Sequence, residues 1–411
     1  MAFGVCLVFE LASDFHIFKD VIQVPIELAK LLGNCPTYLI TRPNACQQNL
    51  SEHINVINIG ETILENNEAF QKGKMENLIF SLEWYEEACK VAAEYADVLM
   101  LFPHFGNYTK GARSFSFRSL SKGRLPTVYL KLDADPRGFL KTSPQHQTKS
   151  VIKKLKYKIE NLKEWLRYLP ITAISAESSY TLEMFSHLHP SLSNKSFLVK
   201  NCPPQAEVIS LPDRNTLIKH KMPIFLAVGR LDFSGKAIEI LLSAWMNIAP
   251  QCQNWKLRLV GSCEPNFKKV WMKKFQKANL TDTVEWMGPI YNRNTLWDIY
   301  SQSSILLISS RHESGPLVLA EAIVAGCAII STPVGEVPYV LNSSEHGIFP
   351  IDDVEALAKT MLLFATDDTI RRKQLMKLED EVQHRQWHIQ LKPVADKINS
   401  SLIRNATNYS T

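Results

Sequence analysis

The stretch 304–335 constrains the fold of this 411-residue chain more than any other. Ser304-Ile-Leu-Leu-Ile-Ser309 is a short apolar run of strand type, and Cys327-Ala-Ile-Ile-Ser-Thr-Pro-Val-Gly335 opens with another. Between them Pro316 begins a helix, because a first helical turn has no use for the N–H that proline lacks. Gly326 ends it, where a residue without Cβ can turn left-handed. Strand, loop, helix, strand makes a parallel sheet with a crossover, and ligands of such sheets sit beyond the carboxyl ends of the strands. Glu313 lies at that end, and Glu321 follows eight positions later on the helix. The amides around Leu317 and Val318 open the helix and suit an anion such as a diphosphate. Two carboxylates on either side of an anion site fit a ligand with hydroxyls at both ends. A nucleotide-sugar is such a molecule.

The rest of the chain alternates in the same way. Strands are expected at 4–10, 37–41, 54–59, 96–102, 126–133, 171–175 and 197–200, with helices at 19–32, 75–95, 148–168 and 178–188. The Pro-rich, aperiodic stretch from Cys202 to Pro223 reads as an interdomain linker. Strands then resume at 224–229, 256–261 and 283–287, with helices at 236–248, 267–278 and 295–301, and 367–386 and 392–404 read as terminal helices. A single core does not grow to this size, so two domains of about 200 residues are expected.

A formal charge of +5 is too small to point to nucleic acid, though it suits anionic ligands or an anionic membrane surface. Eight cysteines are scattered without a C-x-x-C pair, which implies free thiols in a reducing cytoplasm. No run reaches the ~18 apolar residues of a spanning helix. The amino terminus lacks a basic n-region and reads as the first strand, not as a signal peptide.

Glu-x7-Glu on a strand–loop–helix resembles the donor-site motif of retaining glycosyltransferases with the GT-B fold, family 4 in particular. Val228-Gly-Arg-Leu-Asp-Phe-Ser-Gly-Lys236 resembles the family's Gly-Arg-Leu stretch with its following Lys. Val284-Glu-Trp-Met-Gly288, Thr332-Pro-Val-Gly335 and Gly347-Ile-Phe-Pro-Ile-Asp-Asp353 follow in the family's order. The resemblance covers about residues 222–365 closely and the first half in layout only. It implies an α/β GT-B fold, two doubly wound Rossmann-like domains facing a cleft. The domains would be 1–205 on the acceptor side, a linker at 206–222, the donor domain at 223–385, and a final helix at 386–411 returning to the first domain.

The resemblance also implies roles. Gly229, Arg230, Lys236, Gly315, Leu317 and Val318 would bind the donor, and Glu321 would accept hydrogen bonds from the ribose hydroxyls. Arg230 can grip a phosphate with two parallel bonds and Lys236 supplies a mobile point charge, so both would stabilise the leaving diphosphate. Glu313 would act electrostatically near the reacting carbon, without a covalent intermediate. His104, in Leu101-Phe-Pro-His-Phe-Gly-Asn-Tyr108, would line the sugar site from the first domain. No metal and no cofactor are implied, and Asp133-Ala-Asp135 has only the spelling of a metal site.

The expected function is a metal-independent retaining glycosyltransferase that moves a sugar from a nucleotide-sugar to a glycan or lipid-linked acceptor. Cell-surface polysaccharide synthesis, such as lipopolysaccharide or capsule, is the expected setting. A non-catalytic nucleotide-sugar-binding subunit is the alternative from another class. A dinucleotide oxidoreductase is disfavoured, because no G-x-G-x-x-G follows any strand.

The chain departs from the family in two places. Glu10-Leu-Ala-Ser-Asp-Phe-His16 replaces a Gly-rich loop, leaving Glu10, Ser13 and Asp14 as the candidates for acceptor contact, and Val334-Gly335-Glu336 lacks a paired glycine. The 148–168 helix carries seven Lys/Arg against two Glu beside an apolar stripe. Its stripe can pack on the sheet with the lysines in water, or its basic face can meet anionic lipid at the inner face of a membrane.

Overall fold

The apolar runs of the first half pair side by side as β1 (Val5–Val8), β2 (Thr37–Thr41), β3 (Asn55–Asn58), β4 (Val98–Leu101), β5 (Thr127–Leu132), β6 (Ile171–Ala176) and β7 (Ser196–Leu198). They form one parallel sheet in the order β3-β2-β1-β4-β5-β6-β7. The second half gives β8 (Met222–Val228), β9 (Lys256–Val260), β10 (Val284–Gly288), β11 (Ser303–Ile308) and β12 (Ala328–Ser331), again parallel, in the order β10-β9-β8-β11-β12. Residues 4–10, 12–44, 47–60, 82–102, 108–133, 168–341 and 346–408 are described by this computed structural model. In each sheet the winding reverses once, between β1 and β4 and between β8 and β11, and such a switch point is where α/β sheets bind ligands. Strands covered on both faces read as continuous apolar runs, as β1 and β4 do with every residue buried.

The chain divides into two units, 1–200 with 387–411, and 201–386. The stretch 206–222, expected as a linker, instead carries two short helices, Gln205–Ile209 and Arg214–Lys219, and falls in the second unit. Asp213 caps the second of them, its carboxylate accepting the Thr216 N–H at 3.1 Å. The last helix, Trp387–Asn408, belongs to the first unit, where Trp387, Leu391, Val394 and Ile398 form one buried face.

The helix Tyr108–Ser121 has no counterpart in the sequence reading, because its glycine and serines are poor helix formers. Gly111 explains it. A Cβ there would lie 2.7 Å from Cys89 Sγ and 2.9 Å from the Tyr85 ring, so only glycine lets this helix approach Leu82–Tyr95 so closely. Most of the basic 148–168 helix and the start of the 75–95 helix lie outside the described residues, as does Asp135.

The first unit buries a charge at the end of its sheet. Lys131 on β5 is inaccessible to solvent and pairs with Asp20 at 2.7 Å and with Glu177. Burial works against its charge, but the two carboxylates outweigh it and hold the ammonium above its ordinary value. The described cysteines are all free thiols, five of them buried. Among the described residues no helix is long and apolar enough to cross a membrane.

His16, on the turn after β1, accepts the Ser13 N–H at Nδ1 at 3.1 Å and lies edge-on to Phe9. Burial and then the Lys19 ammonium push its pKa from 6.5 down to about 4. Between these values the unfolded chain binds a proton that the folded chain refuses, so stability falls as pH drops through that window, by roughly 3 kcal/mol at most. Melting temperatures at pH 7 and pH 4.5 should therefore differ less for His16→Gln than for the wild type. Equal acid sensitivity in both would contradict the assignment.

Candidate functional site

The site is built from the two loops that leave β8 and β11, the strands on either side of the second switch point. After β8, Gly229 holds φ +137°, and a Cβ on Gly261 would sit 1.7 Å from the Gly229 carbonyl, so the two glycine backbones touch. The Asp232 carboxylate then folds the loop, with Oδ1 accepting the amides of Gly235 at 2.7 Å and Lys236 at 3.0 Å. Burial raises its pKa, but those amide bonds outweigh burial and leave it below its usual value. Ala237 is held at φ +49°, a conformation that costs a non-glycine residue about 1–3 kcal/mol. The helix consequently begins at Ile238 rather than at the expected 236, which leaves Lys236 on the loop.

The loop after β11 is tied to the first. Ser309 Oγ donates to the Lys236 carbonyl at 2.7 Å, and the Arg311 amide donates to the Gly235 carbonyl at 2.8 Å. The Arg311 guanidinium binds Glu239 at 2.6 Å and Asp352 at 2.7 Å, so this Arg serves the scaffold. Glu313 is half-buried; its Oε1 accepts from Ser310 Oγ at 2.7 Å and forms an ion pair with Lys236 Nζ. Arg230, Lys236, Glu313 and Val318 line one pocket together with Leu231 and Ser310. Arg230 is mostly exposed, its nearest acid being Asp232 at 3.9 Å.

The helix Leu317–Val324 starts at this pocket. Pro316 occupies its N-cap and its carbonyl accepts the Leu319 N–H at 3.0 Å, while the amides of Leu317 and Val318 have no partner within the helix itself. At its other end Arg214 donates to the Ile323 carbonyl and Lys221 to the Ala325 carbonyl, the latter at 2.7 Å. Cations at the carboxyl end and vacant amides at the amino end both follow the direction of the helix dipole. Gly315, just before the helix, has its carbonyl bonded by Asn201 Nδ2 at 2.7 Å. Gly335 sits at φ +53°, and a Cβ there would lie 2.2 Å from the Ser314 carbonyl. The single glycine of Val334-Gly335-Glu336 is thus the one that touches the Glu313 loop.

Glu321 is placed differently from Glu313. It is 2% exposed, and each oxygen has a protein partner, Arg293 Nη2 at 2.7 Å and the Tyr300 hydroxyl at 2.8 Å. Arg293 also pairs with Glu207 at 2.8 Å, and Trp297 donates to Glu207 at 2.7 Å. Burial works against the Arg293 charge, but Glu321 and Glu207 outweigh it and hold the guanidinium above its ordinary value. Burial, then the Glu321 charge, pushes the Tyr300 hydroxyl well above its ordinary value. Glu321 does not line the pocket that holds Arg230, Lys236 and Glu313.

His104 lies outside the described residues. Of the other candidates in the first unit, Glu10 accepts from Arg42 Nε at 2.7 Å, Ser13 Oγ is 3.1 Å from His16, and Asp14 accepts from the Asn49 amide at 3.0 Å. Arg293, Tyr300, Ser310 and Asn201 were not singled out by sequence. A carboxylate on an apolar helix signals that a cation must exist, but the local spacing does not say which one.

The family model of glycosyl transferases group 1 matches residues 212–380. An uncharacterized glycosyltransferase of Haemophilus influenzae is 30% identical over 166 residues, which is 40% of this chain and 44% of that protein. The amylovoran biosynthesis glycosyltransferase AmsD of Erwinia amylovora is 32% identical over 126 residues, 31% of this chain and 34% of that protein. The chain therefore spans less than half the length of these curated relatives. The crystal structure of Anabaena Alr3699/HepE in complex with UDP superposes with a TM-score of 0.63 at 14% identity, covering 97% of this chain and 100% of that one. That likeness establishes the GT-B fold.

Removing Arg293 would leave two carboxylates buried without their cation, at a cost of about 3–5 kcal/mol. Arg293→Met should lower the denaturant midpoint accordingly, and adding Glu321→Gln should recover part of the loss. A single variant as stable as the wild type would contradict this pairing.

Proposed function

We propose that this chain, a GT-B protein matching the glycosyl transferases group 1 over residues 212–380, is a glycosyltransferase that moves a sugar from a nucleotide-sugar to an acceptor hydroxyl. One observation carries the proposal: Arg230, Lys236, Glu313 and Val318 share a pocket at the carboxyl ends of β8 and β11. Cations and helix-start amides on one side, with a carboxylate in the same pocket, match a donor whose diphosphate is anionic and whose sugar becomes positive at its reacting carbon. The relative named for amylovoran biosynthesis and the UDP-bound structural neighbour support this class of chemistry.

In this mechanism the diphosphate settles against the amides of Leu317 and Val318, where the helix dipole favours an anion. Lys236 exchanges its contact with Glu313 for the phosphate, and exposed Arg230 swings in beside it. As the glycosidic bond breaks, these cations meet the charge that grows on the leaving group, which makes a divalent metal unnecessary. Glu313, relieved of Lys236 but still held by Ser310, faces the sugar and stabilises positive charge there. The acceptor hydroxyl attacks on the face the diphosphate leaves and gives its proton to the departing phosphate oxygen, so the configuration is retained. The ribose contact that the family resemblance implies for Glu321 would require its clamp of Arg293 and Tyr300 to open, since the carboxylate is buried outside this pocket. A glycan of a cell-surface polysaccharide is the acceptor class we favour.

Two measurements test this. In a thermal-shift panel of UDP-, GDP- and ADP-sugars, one nucleotide should stabilise the protein in proportion to its occupancy. Lys236→Ala should weaken that nucleotide about 10- to 100-fold, the loss of a charge-assisted contact. Glu313→Gln should bind it within a few-fold of wild type yet turn over at least about 100-fold more slowly. Absence of binding by every nucleotide, or wild-type turnover in Glu313→Gln, would overturn the proposal.

A further inference from the structure

The loop that carries Glu313 rests on a buried charge network that the mechanism does not use. Arg385 has no solvent-accessible side-chain surface. Its Nη2 pairs with Glu336 at 2.5 Å and Glu381 at 3.1 Å, and its Nη1 donates to the Asn201 carbonyl at 3.0 Å. Asn201 is itself buried, and its side-chain amide reaches the Gly315 carbonyl at 2.7 Å. On the other side Glu336 is 2% exposed and follows Gly335, whose backbone packs on the carbonyls of Ser314 and Glu313. Thr332 Oγ1 adds a bond to the Ser310 carbonyl at 2.6 Å. One guanidinium thus joins three segments far apart in sequence, two of which touch the Glu313–Gly315 loop directly.

A buried ion pair is weak evidence for stability, because well-packed apolar side chains often do as well. What an apolar residue cannot do is fix direction. The planar Arg fork sets the Asn201 carbonyl and the Glu336 carboxylate at defined angles, and Lys would offer only a point charge. Asn201 and Arg385 are also the first and the last but one residues of the second unit, so the loop is referenced to both places where the chain enters and leaves it.

We infer that Arg385 is a positioning residue, acting through Asn201 and Glu336 to hold Glu313 and the amides of Leu317 and Val318 in the geometry the donor needs. The inference rests on the donor-site reading above. It names residues that neither contact the donor pocket nor belong to the Glu-x7-Glu motif.

The test compares Arg385→Lys and Asn201→Ala with a control, Met361→Ala, which opens a cavity in the core of the same unit away from the loop. Turnover and affinity for the nucleoside diphosphate are measured well below each melting temperature. Arg385→Lys and Asn201→Ala should each lose about 10- to 100-fold in turnover, as misplacement of reacting groups does. Met361→Ala should lose thermal stability without that loss. Wild-type turnover in both loop variants, or an equal loss in the control, overturns the inference. Hydrogen exchange at amides 313–319 of the unliganded protein keeps the two readings apart. Faster exchange in Arg385→Lys than in Met361→Ala is expected even if no nucleotide binds the wild type, whereas unchanged exchange would sink the positioning role alone.

Discussion

The ion pair between Lys236 and Glu313 is the interaction on which the site depends. It joins the loop after β8 to the loop after β11, and those strands are neighbours only because the sheet reverses its winding between them. Without that reversal the two loops would leave from strands that are not adjacent. With it, a cation placed early in the unit meets a carboxylate 77 positions later. Each charge of the pair also offsets the cost of holding the other half-buried.

The backbone around the pair is arranged at some cost. Ala237 in the left-handed region and the Gly229–Gly261 contact keep Lys236 off the helix and directed toward Glu313. Local strain of this kind persists where the surroundings over-determine it, and it clusters at functional sites. Asp232 supplies that over-determination by accepting two amides of the same turn. On the other loop, Gly335 and Asn201 hold the carbonyls that precede the helix Leu317–Val324. The helix can then present its first amides at the pocket, with Arg214 and Lys221 countering the dipole at its far end.

Most of the fold was legible because the strands are buried on both faces and so read as apolar runs between turn residues. Thr37–Thr41 was bounded to the residue, and most other described strands to within one or two. Several features escaped, the helix Val354–Thr366 among them, and three have identifiable reasons. Tyr108–Ser121 is a helix despite its propensity, since close packing at Gly111 outweighs the cost of glycine in a helix interior. The helices inside 206–222 are short, and the Asp213 cap that starts one of them is hidden in a Pro-rich context. The helix expected from 236 starts two residues later because of the Ala237 conformation, which no spacing rule signals. Within the candidate site, the places of Arg230, Lys236 and Glu313 at strand ends were legible from the strand pattern and the family resemblance. The partners Ser310, Arg293 and Tyr300 were not, because what singles them out is a contact across the fold.

The most direct measurement is a crystal structure of the full chain soaked with the nucleoside diphosphate that stabilises it. Difference density should place the diphosphate against the amides of Leu317 and Val318, with Lys236 Nζ moved from Glu313 to a phosphate oxygen. A diphosphate bound elsewhere, with the Lys236–Glu313 pair still closed, would contradict the donor-site assignment.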